Sequence, residues 1–331
     1  MAARLDTPVL GVQDSYTGPN VWQVSMHYRY QYSHRHFVGP EEQTNRAEDH
    51  SQVKNNIDLA EIGLHYNPDP QWSFAVNVPY FHATRSSGLR DANRVVVDRA
   101  EVQASGLGDI ILSARHLLWK PLKHPDGNIS LGLGVKVPTG DDDVFDDRER
   151  LVNGQSVFTE ESVDQSIQPG DGGWGVLFEV QYFQRIAHTN GAFYLSTTYL
   201  ANPRDTNGVP TFRNNLGEEI MSVSDQYIGR VGVSYAGKSW KGFGVSLGGR
   251  LEGVPVEDLI GDSDGFRRPG YAISVEPGVS YAHGPYVFSL AVPYALYRNR
   301  TRSVADRMVP GRHGDAAFAD YIVLFGWGRK F

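Results

Sequence analysis

The sequence predicts an all-β chain: a transmembrane, antiparallel, up-and-down β-barrel of about twelve strands, with short turns at one end and long loops at the other. Three observations predict it. Hydropathy alternates residue by residue over stretches of about ten residues. The connections between those stretches are alternately short and long. Aromatic residues (17 Tyr, 15 Phe and 6 Trp among 331) are out of proportion to a chain whose mean hydropathy is −0.38.

The alternation is plain in the first stretch. Trp22, Val24, Met26, Tyr28, Tyr30 and Tyr32 interleave with Gln23, Ser25, His27, Arg29 and Gln31. Successive side chains of a strand point to opposite faces, so this pattern gives one apolar and one polar face. Such stretches fall at about 20–33, 54–66, 72–84, 106–120, 127–139, 173–187, 191–203, 224–236, 242–256, 270–282, 286–300 and 315–331. The short connections are 67–71, 120–128, 188–190, 237–241 and 283–285. The long ones are 34–53, 85–105, 140–172, 204–223, 257–269 and 301–314. A β-sandwich also alternates, but nothing in it puts every long loop at one end. Aromatics open or close many apolar faces, among them Trp22 and Tyr32, Trp72 and Tyr80, and Tyr271 and Tyr281, as in the girdles that bracket a lipid-facing band.

The composition excludes several functions. Acidic residues outnumber basic ones, 38 to 31, for a net charge of −7, and no basic block offers a nucleic acid a footing. The absence of Cys removes disulfides, thiolate metal sites and Cys nucleophiles. No apolar run is long enough for a membrane helix, and Met1 to Arg4 lead into no signal-peptide core, so the expectation is a mature chain of the bacterial outer membrane. It forms one domain, with 1–19 a periplasmic N-terminal segment and 140–172 the longest, acidic extracellular loop. Its partners are the lipid bilayer, a small-molecule solute and, during insertion, the barrel-assembly machinery. Phe331, a terminal aromatic on the last apolar face, is the expected insertion signal.

If the apolar face meets lipid, the polar face lines the lumen. The expected lining set is His27, Arg29, Glu61, His65, Asp109, Arg115, Lys136, Glu179, Arg185, Arg230, Arg250, Glu252, Glu276 and Asp320. Charges out of bulk water must pair or be solvated, so the set is either a balanced internal network or a selectivity eyelet. Twelve strands tilted at about 40° enclose a backbone cylinder roughly 24 Å across, which side chains reduce to a narrow channel. Inward glycines, including Gly132, Gly232 and Gly248, are expected to widen it locally.

The aspartates Asp141, Asp142, Asp143, Asp146 and Asp147 are a candidate weak Ca²⁺ site, since that ion takes several carboxylate oxygens, although their spacing is not that of an EF-hand. No other cofactor is expected. No GxSxG elbow or HExxH pair is present, and the strand serines fall mostly on the polar face, which disfavours the alternative of a lipid hydrolase. Val-Pro recurs at 78–79, 137–138, 254–255 and 292–293. Proline interrupts a ladder, so these mark strand ends or bulges. In the third pair the register turns Val254 inward with Arg250 and Glu252, which implies a bulge nearby or a misplaced register.

Gly106-Leu107-Gly108-Asp109, Val137-Pro138-Thr139-Gly140-Asp141 and Gly170-Asp171-Gly172-Gly173-Trp174 follow one another across the middle third of the chain. This succession resembles the outer-membrane family known as the MetA pathway of phenol degradation. The resemblance implies a channel passing small, often hydrophobic or aromatic, molecules; it carries over no catalytic or ligand residues. The expected function is therefore an outer-membrane channel, not an enzyme. The alternative is a closed scaffold barrel acting through its loops or a docked partner.

Overall fold

The structure, a computed structural model, describes residues 16–331. The expected N-terminal segment 1–19 lies outside the described residues up to position 15. Twelve strands close into an antiparallel barrel. They are β1 (Val21–Val38), β2 (Lys54–Asn67), β3 (Trp72–Arg90), β4 (Val96–Leu107 continuing as Ile110–Leu117), β5 (Gly127–Val137), β6 (Gly175–Arg185), β7 (Gly191–Ala201), β8 (Gln226–Tyr235), β9 (Phe243–Val254), β10 (Gly270–His283), β11 (Tyr286–Ala291 continuing as Tyr294–Asn299) and β12 (Ala316–Lys330). Each pairs with its neighbours in sequence, and β12 pairs with β1 from Gln23↔Lys330 to Phe37↔Ala316, which leaves no open edge. Closure answers a requirement of the bilayer, where every backbone N–H and C=O must find its partner within the protein.

The period of two in the sequence becomes outside and inside. On β9, Phe243, Val245, Leu247 and Leu251 are exposed, whereas Arg250 and Glu252 are buried. On β1, Trp22 and Met26 are exposed, whereas Ser25, Arg29 and Gln31 are buried. Leu133 on β5, Phe178 on β6, Phe193 on β7, Val231 on β8, Val279 on β10 and Leu290 on β11 continue the outer belt. A contiguous apolar belt of this extent around a polar interior is a surface for lipid, not water.

Two of the long connections depart from expectation. The stretch 85–105 is mostly strand: β3 and β4 pair from Tyr80↔Leu107 to Arg90↔Val96 and turn over residues 91–95. The acidic loop contains a hairpin, Phe145–Val152 against Gln155–Ser162. Beyond the hairpin the loop folds into the barrel. Val163 and Ile167 are buried with Ile57, Leu59, Phe81, Ala83 and Ala104 in an apolar cluster on the inner wall.

The ladder is broken where β4 and β11 are split, at Gly108-Asp109 and at Val292-Pro293. The break at 292–293 has the greater effect. Beyond it, the outer part of β11 stays paired to β10, but meets β12 only at Tyr294↔Tyr321. Val254, at the end of β9, lines the interior with the register intact and without the expected bulge, since β9 pairs evenly with β10 up to Val254↔Gly270.

Candidate functional site

Among the described residues, two chambers stand out in the lumen. One, at the loop end, has a volume of about 350 Å³; the other, at the turn end, about 230 Å³. Glu61 on β2 lines both. The material between and beside them is a network of paired charges. Arg29 on β1 reaches Glu252 on β9 at 3.0 Å. Glu252 also binds Arg250 at 2.6 Å; Arg250 shares Glu276 on β10 with Arg230 on β8, at 3.3 and 3.0 Å. All five side chains are buried. Because β1 and β9 are not neighbours in the wall, the Arg29–Glu252 pair ties separated parts of the barrel together.

A second group stands on β4–β6. Arg115 donates from Nε and Nη2 to both oxygens of Glu179, at 2.6 and 2.9 Å. Lys136 pairs with Asp171 and lies 3.7 Å from Asp109. Asp109 Oδ1 in turn accepts from the Gly140 backbone N–H at 3.0 Å, tying the chain just beyond β5 to the break in β4. This is what the glycine-rich motifs build: Gly140 and Gly170 pack backbone to backbone, so that a Cβ on Gly140 would lie 2.8 Å from the Gly170 Cα.

In the turn-end chamber, His27 stands 3.6 Å from Glu61, and Ser25 Oγ stands 3.0 Å from His65 Nε2.

The expected lining residues thus fall into groups. Arg29, Arg230, Arg250, Glu252 and Glu276 form the buried network, Arg115 pairs with Glu179, Lys136 gathers with Asp109, and His27, Glu61 and His65 face the turn-end chamber. Two stand apart. Arg185 is exposed at the turn end of β6. Asp320 lies at a bulge in β12 and pairs with Arg35 and Arg298, each at 2.7 Å. The glycines do not simply widen the lumen; neighbouring side chains occupy the space. A Cβ on Gly232 would come within 2.6 Å of Tyr194 Oη, and one on Gly132 within 2.7 Å of Glu179 Oε2.

Among the described residues no group of three or more His, Asp or Glu is arranged to hold a metal ion. Of the five aspartates considered for Ca²⁺, Asp146 accepts from the backbone N–H groups of Gln103 and Asp147, at 2.7 and 2.9 Å. Phe331 follows the end of β12, exposed, with its backbone N–H donating to the Trp22 carbonyl at 2.8 Å.

Alternation does not reveal the polar residues of the loop-end chamber. Asp164 is fully buried and receives both Nη groups of Arg268, at 2.7 and 2.6 Å, with Arg85 at 3.4 Å and Arg213 at 3.9 Å. Burial alone would raise its pKa, but Arg268 and Arg85 outweigh that and hold the carboxyl well below the usual range. Arg148 and Phe212 complete this side of the chamber. The residues sit mostly in loops, where no hydropathy period exists; the one local hint is the adjacency of aromatic and basic residues in Phe212-Arg213 and Phe266-Arg267-Arg268.

Residues 62–153 match the family described as "Putative MetA-pathway of phenol degradation". This span contains the first two of the three glycine motifs. No curated protein matches the chain in sequence. Among solved structures, an outer membrane channel from Pseudomonas putida F1 superposes over 99% of this chain and 100% of its own, with a TM-score of 0.61 at 10% identity. The translocator domain of the autotransporter NalP from Neisseria meningitidis gives 0.48 at 12% identity, covering 97% of this chain and 92% of that one. The toluene transporter TodX of P. putida gives 0.44 at 7%, covering 95% and 91%. The first of these likenesses shows that the two chains share the barrel fold.

Proposed function

We propose that the protein is an outer-membrane channel that passes small molecules through its charge-lined lumen. The observation that carries this reading is the pair of chambers inside a closed barrel whose outer surface is apolar. A purely structural barrel has no need of internal space, and well-packed interiors leave few voids larger than a water molecule. The P. putida structure that shares the fold over its whole length is itself a channel, and the phenol-degradation family name supports small aromatic solutes as the cargo.

Single-channel recording in a planar bilayer tests the proposal. Discrete steps are expected. Glu61→Gln, at the position common to both chambers, should shift the reversal potential toward anion selectivity, and Arg115→Ala toward cation selectivity, because each removes one sign of charge from the lumen. Silence from protein shown to be inserted would overturn the channel and leave a closed scaffold.

A further inference from the structure

We infer that the loop-end chamber is a binding site for aromatic carboxylates, with the anion held by Arg85, Arg148 and Arg213 and the ring set against the apolar lining of Leu59, Phe81, Val102 and Val163. The inference rests on reading the lumen as a route for small molecules and names the class of solute it takes.

The first support is an alternating stack of cations and rings. Arg148 lies over Phe212 at 4.2 Å, and Arg213 lies 5.3 Å from the same ring. Arg213 and Arg268 lie over Phe266, at 4.1 and 4.6 Å. Stacking occupies the faces of the guanidinium groups and leaves their N–H edges to donate in plane, which is the geometry that grips a carboxylate in bidentate fashion.

The second support is charge. Asp164 serves Arg268, Arg85 and Arg213, Glu218 lies 3.7 Å from Arg213, and Glu161 is divided between Arg150 at 2.6 Å and Arg148 at 3.8 Å. Three carboxylates therefore meet five guanidinium groups. The next acid along, Asp315, is already bound by His36 and Arg46. Arg213 Nε is buried with no hydrogen-bond acceptor. Burial first, and then neighbouring cations, lower the pKa of both Arg148 and Arg213, so a further anion beside them would stabilise their charged forms. An anion seated beside Arg148 and Arg213 supplies the acceptor that Arg213 Nε lacks.

The third support is the rest of the wall. Leu59, Phe81, Val102 and Val163 line the same chamber beside its polar groups. A simple inorganic anion has no use for that surface; a ring does, because burying it removes apolar area from water at roughly 25 cal/mol per Å². The volume of about 350 Å³ accommodates a single ring with its carboxylate.

The test is calorimetric titration of the purified, detergent-solubilised protein at low ionic strength with benzoate, acetate, benzyl alcohol and inorganic phosphate. Benzoate should bind more tightly than the other three. Arg213→Gln and Arg148→Gln should each weaken benzoate about tenfold, the loss of one charge-assisted contact, while leaving benzyl alcohol unchanged. Arg148 is partly exposed and off the buried Asp164 contact, so its variant remains a fair test if Arg213→Gln fails to fold. Equal binding of benzoate and benzyl alcohol, phosphate or acetate binding as tightly as benzoate, or benzoate binding indifferent to Arg148→Gln would each overturn the inference. Conductance separates the two claims. A conducting pore that binds no benzoate removes the site and keeps the channel, whereas a silent barrel that binds benzoate through these arginines keeps the site and removes the channel.

Discussion

Glu276 illustrates how much hangs on one side chain in this lumen. It is the shared acceptor of Arg230 and Arg250, and all three are buried. Replacing it with Gln keeps the shape and removes the negative charge that Arg230 and Arg250 share, while Glu252 still serves Arg250. Breaking a buried pair in this way costs about 3–5 kcal/mol. Urea unfolding from lipid vesicles should show a lower midpoint for Glu276→Gln, and an unchanged midpoint would mean that water already solvates the network. Glu276 was legible in the sequence, as were Arg29, Arg230, Arg250 and Glu252, because each is the polar member of an alternating strand. Asp164 and its arginines were not. A carboxylate in an acidic loop reads as solvated surface, and only the return of that loop into the barrel turns it into the most enclosed charge of the chamber.

At the level of strands, the weakest seam is between β11 and β12. Near the turns the two are fully paired, from Tyr286↔Arg329 to Ala291↔Leu324, but beyond Pro293 only Tyr294↔Tyr321 remains. Backbone amides that lack a stable ladder open more readily than those at the centre of a sheet. Hydrogen exchange of the protein in micelles should therefore be faster for outer β12 amides facing this seam than for the matching stretch of β9. Equal protection would mean that the seam is closed by other means. Val292-Pro293 flags the break in the sequence itself, since proline cannot join a ladder, whereas Val78-Pro79 lies inside β3, whose register runs past it unbroken. The extension of β3 and β4 carries no such mark, for a related reason. Above the membrane the outer face no longer needs apolar residues, so Arg85-Ser86-Ser87-Gly88 has no period of two, although its backbone pairs as regularly as the rest.

Taken whole, the molecule is a lipid-facing cylinder capped at one end by ion-paired loops, and acid acts on the two parts differently. Asp315, between strands at the loop end, would be raised by burial, but its contacts with His36 and Arg46 bring it down to about 2. A carboxylate whose pKa falls on folding contributes stability above its unfolded value, near 4, and loses it as pH drops toward the folded one. Asp164 shifts in the same direction. The cap should hold at pH 5 and loosen between about pH 4 and pH 2, while the barrel, held by backbone pairing, persists. Limited proteolysis across this range would report it: cleavage within 138–174 that rises together with loss of the β-sheet circular dichroism would count against an independently melting cap. The overall architecture was readable because lipid enforces a strict period on every spanning strand. The cap answers to no such rule.

The division of the lumen also has a kinetic consequence. In the proposed channel, two chambers that share Glu61 in their linings would make passage a matter of successive hops. At low supply the rate follows the concentration outside; once the first chamber is filled, it follows only the time taken to leave. A pore of this kind would saturate as a carrier does, with no moving part, and a solute that bound the first chamber too tightly would become an inhibitor of its own passage.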